Sequence, residues 1–317
     1  MSGWDIGSDL IHITLVYATA LMFGALGGLW SERSGVVNIA IEGMMTIGAF
    51  TGAVVTYFAG SPWIGFLAAA VAGAAFALPH AVASVTYKAD QTISGVALNF
   101  LAVGLGLYLT KLIFNGQGQS PNLASGGTNL MISKVQVPFL SDLPFFGHAL
   151  FEAYPTTYIA VALMIVTWYI LFKTPWGLRL RAVGEHPKAA DTAGVNVYLV
   201  RYAAVLTSGA FAAMGGATLA LTTTASFSHS TVMGQGYIAL AALIFGKWHP
   251  VGAVAAATFF GIVTAVKFLL PYVGLGHVPL DIISMLPYAL TLIVLVSFVG
   301  RATAPLASGV PYEKGSR

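Results

Sequence analysis

The residues with chemical potential in this chain lie inside apolar runs. Glu42 is the one carboxylate within a long apolar stretch, and Asn38 precedes it by one helical turn on the same face. Ser94 and Asn99 occupy a second apolar run, and Tyr237 a third. A carboxylate at membrane depth is costly and normally faces a bundle interior or a watery path. Glu42 therefore either lines a polar route or ties its helix to a neighbour through hydrogen bonds. Asn38, Ser94 and Asn99 share that pair of readings, while His80 is read as a satisfied interior histidine. Tyr237, like Trp30, Tyr57, Phe100 and Tyr108, offers a ring that could stack on a flat base, although aromatics in membrane helices mostly serve as core or interface anchors. A nearly uncharged lining suits a neutral, hydrogen-bonding solute better than an ion, because a buried charge needs a partner.

A second group is basic. Lys173, Arg179, Arg181, Lys188 and Arg201 fall between two apolar segments, five of the 14 Lys and Arg in the chain. The middle reads Gly177-Leu178-Arg179-Leu180-Arg181-Ala182-Val183-Gly184-Glu185, then Lys188-Ala189-Ala190-Asp191-Thr192-Ala193-Gly194. A short amphipathic element here would sit at the inner membrane face, within reach of a soluble partner. Arg179 and Arg181 present rigid forked donors that suit carboxylates across an interface. The alternative is topological: the insertion rule simply keeps them inside.

Catalytic signatures are missing. The chain has no Gly-x-x-x-x-Gly-Lys-[Ser/Thr] phosphate loop and no His-Glu-x-x-His. Thr92-Ile93-Ser94-Gly95 and Leu206-Thr207-Ser208-Gly209 lack the first glycine of a Gly-x-Ser-Gly signature. There is no cysteine, so disulfides and thiolate metal sites are excluded. No acid–histidine network suggests a proton relay and no paired carboxylates suggest a sodium site, which counts against a secondary transporter.

The elements that position these groups are membrane spans. Of 317 residues, 57% are hydrophobic and 8% charged, with mean hydropathy +0.82; soluble domains carry about 25% charged residues. The net charge of +3 follows topology and does not point to nucleic acid. Runs near 10–30, 36–60, 63–87, 92–113, 156–173, 201–222, 236–247, 250–271 and 282–300 approach the roughly 20 residues a crossing needs. The seventh, about 17 Å long as a helix, is expected to be re-entrant or broken, so the chain is an all-α polytopic membrane protein of nine to ten helices. Met1 to Asp9 is acidic without Lys or Arg, unlike a cleaved leader, and the first span is expected to remain.

Alternating the spans with the N-terminus outside and the C-terminus in the cytoplasm places Arg33, Lys88, Lys173, Arg179, Arg181, Lys188, Arg201, Lys247, Arg301, Lys314 and Arg317 inside, and leaves Lys111, Lys134 and Lys267 outside. Gly and Ala crowd the spans, as close helix packing requires. Gly35 to Met44 echoes Gly234 to Leu243 and runs in the opposite direction, as an inverted repeat would. The chain reads as one transmembrane domain over 1–317, with an external loop at 114–155 and a cytoplasmic loop at 174–200.

Four separated motifs carry a resemblance: Ser31 to Ile39, Ile93 to Asn99, Gly177 to Glu185 and Gly236 to Trp248. With the closing Pro311-Tyr312-Glu313-Lys314-Gly315, they resemble the permease subunits of bacterial ABC importers for nucleosides, within the wider simple-sugar and branched-chain amino acid permease group. The resemblance implies a type II-like importer fold and a permease, not an enzyme, for nucleosides, with purines favoured; a simple-sugar permease or a secondary transporter of a neutral solute is the alternative. Besides membrane lipid it implies three partners, with no nucleic acid among them: a cytoplasmic ATPase that binds ATP and Mg, a second permease of different sequence, and an extracellular nucleoside-binding lipoprotein. The chain itself would hold no cofactor and no metal. The substrate path would draw on Asn38, Glu42, Ser94, Asn99 and Tyr237. ATPase coupling would draw on Gly177, Arg179, Arg181, Gly184, Glu185, Ala189, Ala190 and Gly194. Lys188-Ala189-Ala190-x3-Gly194 matches the last part of the Glu-Ala-Ala-x3-Gly motif of many such permeases, with Lys188 where the acid stands and without its Ile-x-Leu-Pro ending.

Overall fold

In the computed structural model, residues 3–125, 129–136, 152–269, 285, 289, 293 and 303–314 are described. Apolar sequence in lipid must satisfy its backbone internally, and the described chain does so almost entirely as helix. The order is α1 (Gly3–Arg33), α2 (Ile41–Ala59), α3 (Pro62–Ala81, continued by a π-helical turn, Val82–Thr86), α4 (Gln91–Ile113), β1 (Val135–Gln136), β2 (Glu152–Ala153), α5 (Pro155–Lys173), α6 (Pro175–Glu185), α7 (Pro187–Thr192), α8 (Val197–Thr218, continued by a π-helical Leu219–Thr224), α9 (Gln235–Phe245) and α10 (Pro250–Leu269).

Local chemistry sets the starts. Proline heads α3, α5, α6, α7 and α10, where its missing N–H costs nothing. Asp90 accepts the Ile93 N–H at 2.8 Å, and Asn196 accepts the Leu199 N–H at 3.1 Å. These side chains cap α4 and α8.

Among the described residues, seven helices are long and apolar enough to cross a membrane, and Gln235–Phe245 is a shorter apolar one. They coincide with the first eight expected spans, and the seventh is short, as its sequence required. Most of the expected ninth span, 282–300, and part of the 114–155 loop lie outside the described residues.

The core is the packing of α1, α2 and α8, with α3 against α2 and α8, and α10 against α1. α2 and α8 cross backbone to backbone. A Cβ on Gly216 would fall 1.8 Å from the Met45 carbonyl oxygen, and one on Gly48 would fall 2.0 Å from that of Ala213. In a membrane such close approach replaces the hydrophobic force between helices. α4 rests mainly on α2 and leaves Ile93, Phe100, Leu101 and Tyr108 exposed.

The chain ends and turns gather at two poles. At one, Arg33 Nε donates to the Trp248 carbonyl at 2.8 Å, Lys88 pairs with Glu313 at 2.9 Å, and Ala307 N–H donates to Gly184 at 2.9 Å. At the other, 120–132 laces to 221–227, with Leu123 N–H on the Ala225 carbonyl at 2.7 Å and Ile132 N–H on Leu221 at 3.0 Å. The antiparallel β1–β2 pair joins Val135 to Ala153 and Gln136 to Glu152.

The two echoing segments share a left-handed glycine at their start, Gly35 and Gly234, each with φ +87°. Beyond it they diverge: 36–40 is not helical, whereas Gln235–Phe245 is α9. They meet all the same, through Glu42.

Candidate functional site

Between α1 and α2 the chain abandons helix for residues 34–40, and side chains take over the backbone bonding. The Val37 N–H donates to Gln91 Oε1 at 2.7 Å, and the Val37 carbonyl meets His80 Nε2 at 3.0 Å. His80 Nδ1 meets Ser94 Oγ at 3.0 Å. Asn99 Nδ2 donates to the Ile39 carbonyl at 3.0 Å, and its Oδ1 accepts the Gly43 N–H at 2.7 Å. Asn38 Oδ1 accepts the Ala40 N–H at 3.1 Å, while its Nδ2 donates to Ser208 Oγ at 2.9 Å. Irregular backbone at membrane depth survives only where protein or a cavity satisfies it, and this stretch is satisfied at each of these groups.

Two rulers show how deep it reaches. From Gln91 to Asn99 is eight helical residues, about 12 Å along α4. From Gly234 to the Lys247–Trp248 turn the chain runs down α9, 11 residues or about 17 Å. Glu42 stands at the inner end of both. One carboxylate oxygen accepts the Gly234 N–H at 2.7 Å, and the other accepts the Gly236 N–H at 2.7 Å. The start of a helix has free N–H donors and a positive dipole end, and Gly234 has no side chain to cap them. Glu42 supplies the cap from α2. Of its two sequence readings, the hydrogen-bonded tie is the one the geometry shows.

The five candidate path residues thus fall into one neighbourhood. Asn99 Nδ2 also donates to the Tyr237 hydroxyl at 3.0 Å, which pins a ring that is 48% exposed. Asn38 is wholly buried and Asn99 nearly so; they hold the backbone from behind instead of facing open space. Ser94 borders a surface groove of about 500 Å³ lined by Pro79, Asp90, Ile93 and Leu98. His80 is satisfied on both ring nitrogens, as read. Trp30 belongs to the core, donating to Thr167 at 3.2 Å and lying 5.3 Å from the Trp176 ring. Gln91 and Ser208 join the site without a sequence signal for it: Gln91 follows Asp90 in a polar break, and Ser208 sits in an apolar run as part of an incomplete Gly-x-Ser-Gly match.

Replacing Asn99 by Leu strands the Gly43 N–H and the Ile39 carbonyl, at about 1–3 kcal/mol for each buried unsatisfied group. Uptake by reconstituted protein is expected to drop about tenfold or more while the partner ATPase still co-purifies. Unchanged transport kinetics would remove Asn99 from the path.

The other pole carries the basic loop, folded as α6 and α7. Thr174 Oγ1 accepts the Gly177 N–H at 3.2 Å and caps α6. The loop residues sort by exposure. Arg179, Ala189 and Gly194 are exposed, whereas Gly177, Gly184 and Ala190 are buried. The last three are packed within the chain itself. A Cβ on Gly184 would lie 2.2 Å from the Arg33 carbonyl oxygen, and one on Gly177 would lie 2.1 Å from that of Ile170. Arg181 turns its guanidinium over the Phe172 ring at 4.9 Å, and Phe172 lies 5.1 Å from the His249 ring. Burial and then the Arg33 charge push the His249 imidazole below its usual range. Glu185 accepts the Leu306 N–H at 3.2 Å, so it faces its own chain.

Sequence alone also gave no sign of the clasp beside α6. Trp248 Nε1 donates to Glu32 Oε2 at 2.5 Å, while Arg33 holds the Trp248 carbonyl. α6 therefore abuts the end of α1, and that end grips the turn after α9.

Among the described residues, seven apolar helices around a buried polar junction, with a basic helix pair at one pole, make this a multi-pass membrane protein. A family model described as "Branched-chain amino acid transport system / permease component" matches residues 10–295, and the chain belongs to this family. It is 49% identical over 321 residues to "Guanosine ABC transporter permease protein NupQ" of Bacillus subtilis, covering 99% of both chains. It is 43% identical over 308 residues to "Nucleoside ABC transporter permease protein NupC" of Lactococcus lactis, covering 95% of both. A second Bacillus subtilis chain, "Guanosine ABC transporter permease protein NupP", is 25% identical over 258 residues, covering 78% of this chain and 70% of that one. The chain is accordingly a transporter subunit and not an enzyme; ATP hydrolysis belongs to a separate subunit.

Proposed function

We propose that the whole chain forms one transmembrane domain that carries nucleosides, purines among them, inward across the cell membrane, driven by a separate cytoplasmic ATPase that alone binds ATP and Mg. The guanosine and nucleoside names of these two relatives, each aligned along nearly its full length, support the substrate class. A junction of amide, hydroxyl and aromatic groups, whose carboxylate, Glu42, is already bonded to the α9 backbone, suits a nucleoside, which offers hydrogen-bonding edges and a flat base without charge.

The second permease is a different chain. One organism holds two permeases labelled for guanosine, and this chain resembles one about twice as closely as the other. An extracellular nucleoside-binding lipoprotein delivers the solute against the 114–155 and 223–235 segments. The pole with α6 and α7 faces the cytoplasm, as the excess of Lys and Arg there favours, and the N-terminus lies outside.

The observation that carries the mechanism is the contact of Gly184 with the Arg33 carbonyl. Movement of the α6–α7 pair, gripped by the ATPase at Arg179, Ala189 and Gly194, reaches α9 by two routes. One passes through Arg33 and Glu32 to Trp248, at the C-terminal end of α9. The other passes along 34–41 to Glu42, at the N-terminal end. Both ends of the short helix that carries Tyr237 are thereby held by one turn of chain. ATP shifts the access state only if the ATPase binds the two arrangements differently.

Arg179→Glu reverses an exposed charge without touching the packing. It is expected to lower nucleoside-stimulated ATPase activity and uptake at least about tenfold, the size of a 1.4 kcal/mol loss, with normal insertion. Survival of both activities would remove the coupling role.

A further inference from the structure

Residues 303–314 return to the α6–α7 pole as a strap. Pro305, Ala307 and Tyr312 are buried, while Leu306 and Val310 are 70% and 53% exposed. The strap is fixed along its length. Ala307 N–H donates to the Gly184 carbonyl at 2.9 Å, and Gly309 N–H donates to Gly35 at 3.2 Å. The Val310 carbonyl accepts from Arg201 Nη1 at 3.1 Å, and the Tyr312 ring lies 5.6 Å from that of Tyr198. The Lys88 ammonium pairs with Glu313 and holds its carboxyl below the usual range. That contact persists above the carboxylate range and is lost only as acid protonates Glu313.

A strap so anchored holds its two outward apolar side chains in fixed places. Between them and α7 runs an open groove of about 440 Å³, lined by His186, Pro187, Lys188, Ala189, Leu306 and Val310. Scattered exposed apolar residues need no explanation, but a fixed cluster rimming one groove marks an interaction site. It lies at the pole of the turns and not along the bundle's flank, where lipid would cover it.

We propose that this groove is part of the ATPase docking surface: the strap supplies Leu306 and Val310 as an apolar wall beside α7, and an apolar side chain of the ATPase seats between them. The proposal rests on the coupling role of α6 and α7 and is continuous with it, because the groove's other wall is the exposed Lys188–Ala189 edge. The strap's bond to Gly184 also makes it move with α6, so one rigid surface, not an isolated helix, receives the ATPase.

The chain has no cysteine, which allows single-site photocrosslinking in the assembled transporter. Benzophenone maleimide on Leu306→Cys and, separately, on Arg179→Cys is irradiated in native membranes, and the adduct is identified by its mass and by antibody. Both positions are expected to capture the ATPase. Capture from Arg179→Cys alone, or capture of lipid or the second permease from Leu306→Cys, would overturn the strap proposal and leave the coupling role standing. Capture from neither would remove the coupling role and the proposal with it. A second measurement uses Leu306→Glu with Val310→Glu. ATPase co-purification is expected to fall at least about fivefold, with the thermal unfolding of the purified chain unchanged; an equal loss of unfolding temperature would show a structural role and overturn the proposal.

Discussion

Glu42→Gln is expected to abolish most nucleoside uptake while leaving the transporter assembled. The carboxylate gives two acceptor oxygens to two N–H donors, Gly234 and Gly236, each at 2.7 Å. Gln has one acceptor and one NH2, so one N–H would face another donor across the same short distance. A hydrogen bond to a charged group contributes about 1.5–3 kcal/mol, which corresponds to roughly a tenfold to hundredfold loss of the docked arrangement. Glu42→Asp keeps the charge but is one methylene short of reaching both donors, and should fall between. Uptake into proteoliposomes containing the whole complex reads the effect, and ATPase co-purification controls for assembly. Wild-type uptake in Glu42→Gln would mean that the cap on α9 plays no part in transport.

Gly184→Val is expected to be as severe, by a different route. The added Cβ meets a backbone oxygen, Arg33 O, at 2.2 Å, and no flexible side-chain end can give way. α6 must shift by about 1 Å or more to reach ordinary van der Waals separation, which breaks its register with the end of α1 and with the strap. Basal ATP hydrolysis should remain, because it belongs to the other subunit, while stimulation by nucleoside and uptake are lost together. Gly104→Ala serves as the control: a Cβ there meets nothing within 4 Å, so transport should be unchanged. Intact coupling in Gly184→Val would show that α6 does not act through the α1 end.

What the sequence could and could not disclose follows from the range of each interaction. The first eight spans were legible because lipid demands unbroken apolar runs, a purely local signal. The short α9 was legible for the same reason, as a run too brief to cross. His80 reads as a satisfied interior histidine and is bonded on both ring nitrogens; Glu42 stands out as a carboxylate in an apolar run, open to a lining role or a hydrogen-bonded tie. The donors that meet it are 192 and 194 residues away, and nothing local names them. Asn38, Ser94, Asn99 and Tyr237 stand out as polarity in apolar runs, which also describes the buried Ser208, whereas the buried Gln91 falls in the polar break before its run. In the basic loop, arginine, alanine and glycine all looked like surface residues. Packing divides them: Gly177 and Gly184 face inward because backbone approaches there, Ala190 is buried too, and Arg181 lies over Phe172. The strap was invisible as structure, since its bonds are mostly backbone bonds to distant turns, which short polar sequence does not encode. The same limit applies to Glu32 and Trp248, whose pairing spans 216 residues.

The measurement closest to the central claim is the sidedness of α6. Arg179→Cys, in a chain without other cysteines, is exposed to a membrane-impermeant maleimide in intact cells and in inside-out vesicles. Labelling is expected only in the vesicles, and it should be suppressed when the ATPase is bound and restored when the ATPase is stripped away. Labelling of Arg179→Cys from outside intact cells would put the basic helix on the wrong side of the membrane and contradict the coupling mechanism at its first step.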